Sequence, residues 1–209
     1  NAVVRNRVRR RLREIARRGG VRSWAAQTVL VTEEDESDAL YILLSGRVKV
    51  YGAGADGREV VYATQGPGEY FGEMTLDGGR RSASVMTLEP STCAVVPGPQ
   101  VRDFLADHPD FALHVIRKLI RLARASTEHV KSLALEDVYG RLARLLRSKA
   151  RDEGGVLMLP ERLTQQDLAE HVGASREMVS RVFKPLLEGG YIEMRGGRIA
   201  VLKKLPAGL

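Results

Sequence analysis

Two short stretches bring together side chains suited to gripping an anion. Residues 66–85 read GPGEYFGEMTLDGGRRSASV. Gly72 lets backbone approach a ligand closely, and the Phe71–Met74 turn offers amides to an anion. Glu73 is an acceptor suited to a ribose hydroxyl. Arg81 followed by Ser82 supplies a cation and a hydroxyl donor, as charge-assisted bonds to a phosphate require. Taken alone, a glycine-rich turn with Arg-Ser fits a β-turn carrying surface charges equally well. Residues 174–184 read ASREMVSRVFK, with three cations and one carboxylate among Ala174, Met178, Val179, Val182 and Phe183. The spacing is helical, and the charged side fits either a solvated face or a gripping one.

The neighbouring elements separate these readings for the second stretch. Thr164 is placed as an N-cap, with Asp167 three residues on as a variant of the capping box. The helix Gln165–His171 turns Leu168 and Ala169 inward, and Gly173 ends it at no conformational cost. Ser175 caps the next helix. Helix, glycine turn and helix with a small residue at the crossing is the sequence form of a helix-turn-helix. The second helix of such a motif enters the major groove by its N-terminal part, which puts Arg176, Glu177, Ser180 and Arg181 at base edges. Arginine forks onto guanine O6 and N7, and a carboxylate accepts from cytosine N4. Thr164 and Lys184 suit phosphates, and Gln166 and Ser175 complete the expected DNA-contacting set. The following YIEMRGGRIAVL looks like a wing whose Arg195 and Arg198 reach flanking phosphates.

Upstream, from about Ser23 to Pro99, short β-like runs alternate with glycine. ALYILLSGRVKVYG gives two runs turned at Ser45-Gly46, GADGREVVYATQ a hairpin through Asp56-Gly57, and SASVMTLEPSTCAVVPG two more strands split at Glu89-Pro90. Such texture predicts a compact sandwich or roll. From about Pro109 to Ser148 the periodicity becomes helical. Ile116, Ile120, Ala123, Thr127, Val130 and Ala134 form a heptad seam that predicts a parallel pairing with a second copy of the chain. A break around Leu133–Asp137 is a candidate hinge. At the N-terminus, RNRVRRRLREIARRGG places Val8, Leu12, Ile15 and Ala16 on one helical face with arginines around the rest, an amphipathic cap for the body.

The 209 residues carry a net charge of +7 and a pI near 9.8, which favours an anionic partner such as nucleic acid. Cys93 is the only cysteine, excluding an internal disulfide and an iron–sulfur cluster held within one chain. It reads as a small buried hydrophobe, and a reducing cytoplasm is expected. His108, His114, His129 and His171 show no metal spacing, so no metal site is expected. No signal peptide or membrane span is read. Nothing resembles a nucleophile elbow, and no enzymatic activity is expected. Trp24 reads as core.

LTQQDLAEHVGASREMVSRVFKPL closely resembles the recognition region of the cAMP receptor protein–FNR family of bacterial transcription regulators, and is nearest its cAMP receptor protein type. The resemblance implies that Arg176, Glu177 and Arg181 contact a TGTGA-type half-site, with Met178 where a threonine is common. FGE…RSA resembles the phosphate-binding cassette of cyclic-nucleotide-binding domains, and the likeness extends through DALYILLSGRVKVY. It implies that Gly72 and Glu73 face a ribose and that Arg81 and Ser82 hold a cyclic phosphate, with Met74 and Ala83 beside them. Ser126-Thr127 stand where the cAMP receptor protein type has a Thr-Ser pair touching adenine, in inverted order, and Leu122 replaces an arginine. The fold implied is α+β: a cyclic-nucleotide-binding, jelly-roll-like β-roll at 1–107, a dimerisation helix and hinge at 108–136, and a winged helix-turn-helix at 137–209. The expected function is a homodimeric regulator that binds double-stranded DNA and contacts RNA polymerase. Its expected effector is cAMP, with no tightly bound cofactor. Cyclic di-GMP, another effector or ligand-free action are the alternatives, and a nucleotide-binding module that docks on another protein is the remote one.

Overall fold

The computed structural model describes residues 2–206. Residues 20–96 alternate between the faces of two four-stranded sheets. One has the order β1 (Gly20–Trp24), β8 (Ser91–Val96), β3 (Leu40–Ser45), β6 (Tyr70–Phe71). The other has the order β2 (Val29–Val31), β7 (Ser84–Thr87), β4 (Val48–Ala53), β5 (Glu59–Gln65). The period of two along a strand sorts the side chains. Leu43, Phe71 and Cys93 of the first sheet meet Val31, Val48 and Val85 of the second in the space between them. Their neighbours Ile42, Tyr70 and Ala94 face the other way and pack under helices.

The runs flanking Ser45-Gly46 do not pair with each other. β3 lies between β8 and β6, whereas β4 pairs with β7. Gly46 turns the chain with φ of +85°, and a Cβ there would lie 2.2 Å from Ser91 Oγ. A turn signal specifies reversal, not the partner of each arm. β3 is apolar on both faces, so it sits at the centre of its sheet and the chain crosses to the other sheet to continue. The Asp56-Gly57 turn does join neighbouring strands, β4 and β5.

Helix α1 (Ala2–Ala16) closes this body by burying Leu12 and Ile15 with α2 (Gly98–Asp107) and the start of α3 (Pro109–Leu135). Phe104, Phe111 and Val115 fill the layer between helices and sheet. Each fully buried side chain of this size contributes about 1.5–3 kcal/mol. Arginines 9, 10, 13 and 17 remain exposed on α1 and the residue after it. Cys93 is fully buried, and burial pushes its thiol up to about 11, so it stays protonated.

The chain forms two compact units, the first comprising the chain up to Ala53 with Val61–Ala125, the second Gly54–Val60 with the chain from Ser126 on. In the second, α4 (Val138–Lys149), α5 (Gln165–Val172) and α6 (Arg176–Glu188) surround Leu142, Leu146, Leu168, Val179, Phe183 and Leu186. A small sheet runs β11 (Ile192–Arg195), β12 (Arg198–Val201), β10 (Leu157–Met158), β9 (Arg151–Asp152). No helix among the described residues is long and apolar enough to cross a membrane.

Candidate functional site

The cassette begins where β6 ends. Gly72 has φ of +89°, and a Cβ there would lie 2.6 Å from Arg81 Nη1 and 2.7 Å from the Ala39 carbonyl oxygen. Both the conformation and the close approach require glycine. The next residues, Glu73–Asp77, coil into a 3₁₀ turn. Arg81, 2 % exposed, points into the roll. Its Nη2 donates to Ala39 O at 2.8 Å and Ser37 Oγ at 2.9 Å, and its Nη1 to Gly72 O at 3.3 Å. Burial lowers its pKa below the ordinary guanidinium value. The Ser82 hydroxyl lies on the exposed side and meets Met74 Sδ at 3.2 Å. Arg80 turns outward to Glu36.

Glu73 is 5 % exposed, and its Oε1 lies 3.0 Å from Lys118 Nζ on α3. Lys118 also donates to the Tyr70 carbonyl and sits 3.9 Å from the centroid of the Tyr70 ring. Burial lowers the Lys118 pKa, and Glu73 acts against that shift. Glu73 Oε2 and the Tyr70 hydroxyl are buried without a hydrogen-bond partner. The sequence reading passes over Lys118, although its spacing holds a signal. Phe111, Val115 and Lys118 stand at i, i+4 and i+7, so the lysine lies on the face that α3 buries.

In the second unit the local signals of the helix-turn-helix are realised. Thr164 Oγ1 accepts from the Asp167 amide, and the Asp167 carboxylate accepts from the Thr164 amide at 2.7 Å. Gly173 caps α5 with φ of +62°, and Ser175 Oγ accepts from the Met178 amide at the start of α6. Arg141 of α4 holds the end of α5, donating 2.7 Å hydrogen bonds to Val172 O and to Glu136 O just before α4. Val179 and Phe183 are core, while Arg176, Glu177, Met178, Arg181 and Lys184 are exposed. An open cleft is lined by Gln165, Arg176, Glu177, Ser180, Arg181 and Lys184. The Glu177 carboxyl is held below its ordinary value by its own amide and the Ser175 hydroxyl, with Arg176 and Arg181 adding to this. It is therefore an ionised acceptor among cations.

Not every expected contact joins this cleft. Gln165 lines it, whereas Gln166 donates to Glu170 Oε1 at 3.1 Å. Thr164 is exposed beside it and spends its hydroxyl on the cap. In the wing, Gly196 and Gly197 both have positive φ and turn β11 into β12. Arg195 pairs with Glu193, and Arg198 donates to Leu159 O and pairs with Glu153. Ser126 and Thr127 lie exposed on α3 in the second unit.

Comparison with known proteins matches two stretches of the chain to families of domain. A family model described as a cyclic nucleotide-binding domain matches residues 21–108, and one described as a Crp-like helix-turn-helix domain matches residues 140–205. The chain is 33% identical over 174 residues to a CRP-like cAMP-activated global transcriptional regulator of Mycobacterium tuberculosis, covering 81% of this chain and 78% of that one. It is 28% identical over 186 residues to the cAMP-activated global transcriptional regulator CRP of Pasteurella multocida, covering 87% and 89%. Among solved structures, the c-di-GMP responsive global regulator CLP of Xanthomonas campestris superposes with a TM-score of 0.80 at 25% identity, covering 92% of this chain and 98% of that one.

Proposed function

Because the chain belongs to the cAMP receptor protein–FNR family of transcription regulators, a cyclic-nucleotide-responsive, DNA-binding regulator, we propose that its effector is cAMP and its target a palindrome of TGTGA-type half-sites. The observation that carries the effector reading is Glu73, a buried carboxylate with one oxygen anchored on Lys118 and the other unpartnered. A ribose hydroxyl supplies the missing donor. Ser82 and Arg81 take the cyclic phosphate, Arg81 exchanging its bonds to Ala39 and Gly72 for the stronger bond to an anion. Gly72, Met74 and Ala83 complete the proposed ligand-binding set.

On the DNA side, Arg176, Glu177, Ser180 and Arg181 read base edges, Thr164, Ser175 and Lys184 engage the backbone, and Gln165, which lines the cleft, takes the place expected of Gln166. The seam Ile116, Ile120, Ala123, Thr127, Val130, Ala134 is exposed at every position in the single chain. An apolar heptad stripe in water is covered by a second copy, so the working form is a homodimer whose two α6 helices address half-sites one helical turn apart. cAMP acts by binding one arrangement of the dimer more tightly than the other. We divide the labour among residues 1–107 as sensor, 108–136 as dimerisation helix and hinge, and 137–209 as reader. The protein works as a cytoplasmic binding protein, not a catalyst, and delivers its signal to RNA polymerase.

The similarity to a c-di-GMP responsive regulator supplies the second reading. Calorimetry with cAMP and with cyclic di-GMP, followed by titration of a TGTGA palindrome with each, separates the two. Binding heat with cAMP and tightened DNA binding are expected. Heat with cyclic di-GMP alone transfers the effector role to that dinucleotide.

A further inference from the structure

Most ion pairs among the described residues are at the surface, where they stabilise little. Lys118–Glu73 is buried, its side chains 15% and 5% exposed. Burying both charges costs desolvation energy. A well-packed apolar pair of similar size is often as stable or more so. Stability alone therefore gives no reason for an ammonium on the face of α3 that otherwise buries Phe111 and Val115.

The surroundings of the ammonium point elsewhere. Its three N–H groups have three acceptors: Glu73 Oε1, the Tyr70 carbonyl and the Tyr70 ring. It therefore works through Glu73. Its point charge holds Oε1 and leaves Oε2 buried and unpartnered. A carboxylate beside an ammonium accepts hydrogen bonds and donates none. We infer that Lys118 is a positioning residue for ligand choice: by anchoring one oxygen of Glu73 it reserves the other for a hydroxyl donor, so that the cassette takes a ribose cyclic nucleotide and rejects its 2′-deoxy counterpart. This rests on the cyclic-nucleotide reading of the cassette above. A deoxyribose leaves Oε2 buried without a partner, and hydrogen bonds to charged groups of this kind correspond to about a 10- to 100-fold difference in affinity.

Calorimetry on the full-length protein with cAMP and 2′-deoxy-cAMP reads the inference as a ratio of affinities. Wild type should favour cAMP by about tenfold or more. Lys118→Met frees Glu73 and should bring the ratio close to one. Lys118→Arg keeps the charge, and hence the fold, should the methionine variant fail to fold. Its planar fork takes both carboxylate oxygens, so the ratio should fall there too. A residue with a merely structural role would leave the ratio untouched in the arginine variant. A folded variant at position 118 that keeps the wild-type ratio overturns the inference, as does a wild type that binds both nucleotides equally. A wild type that binds neither overturns the cAMP reading itself.

Discussion

Glu177 and Glu73 show how one residue type is put to two uses by its surroundings. Glu177 is exposed on the first turn of α6, where its own amide and the Ser175 hydroxyl lower the pKa of its carboxyl. In the proposed reading it accepts from one base, and Arg176 and Arg181 flank it for others. Glu177→Ala should relax preference at a single base-pair position by about 1–3 kcal/mol while leaving the others intact. Binding to a panel of single-substituted half-sites measures this, and equal weakening across the panel would argue for a backbone role instead. Glu73 is buried, paired and without a protein donor on its second oxygen. The residue types that could do this chemistry are legible in the chain, as Gly-Glu followed by Arg-Ser and Arg-Glu followed by Arg, although it takes the neighbouring elements and the family likeness to favour that chemistry over a charged surface. The partners are not legible. Arg81 meets Ala39 across 42 positions, and Lys118 reaches Glu73 from a different element.

The reader depends on backbone ends that short-range rules describe well. At the start of α5 the Thr164 and Asp167 amides are satisfied by the reciprocal cap these two residues form, and at the start of α6 the Met178 amide is satisfied by Ser175. Thr164→Ala removes the cap and should cost about 1 kcal/mol, whereas Thr164→Ser keeps the oxygen and should cost much less. Urea denaturation followed by helical circular dichroism compares them, and equal losses in both variants would show that the threonine methyl matters more than its hydroxyl. Capping boxes and left-handed glycine caps act within four residues, which is why α5, Gly173 and α6 stand close to where the sequence puts them. The β-roll is legible as a set of strands and only partly as a topology. The turn at Gly46 is foreseen, yet β3 and β4 separate into different sheets because both faces of β3 find apolar cover.

A single chain leaves Ile116, Ile120 and Val130 about half or more exposed on α3, at 51, 46 and 65 %. Three large aliphatic side chains on one stripe need a partner helix. Ile116→Glu with Ile120→Glu places like charges at the seam of a parallel pair and should yield monomers by light scattering. The affinity of such a monomer for a full palindrome should fall about a hundredfold or more, because the second reader no longer acts at high effective concentration, while a single half-site should bind as before. A variant that remains dimeric would move the interface off this stripe.

Local chemistry in the chain determined where helices begin and end, which glycines turn, which face of α3 is apolar, and which residue types could meet a nucleotide or a base. These properties depend on neighbours within a turn or two, so the order of residues suffices. Tertiary packing decided the strand partners, the inward course of Arg81, the choice of Gln165 over Gln166 at the cleft, and the engagement of Arg198 with Leu159 and Glu153. It also brought Lys118 onto Glu73. Each of these follows from which apolar faces are buried together, a competition among distant segments that no local spacing records.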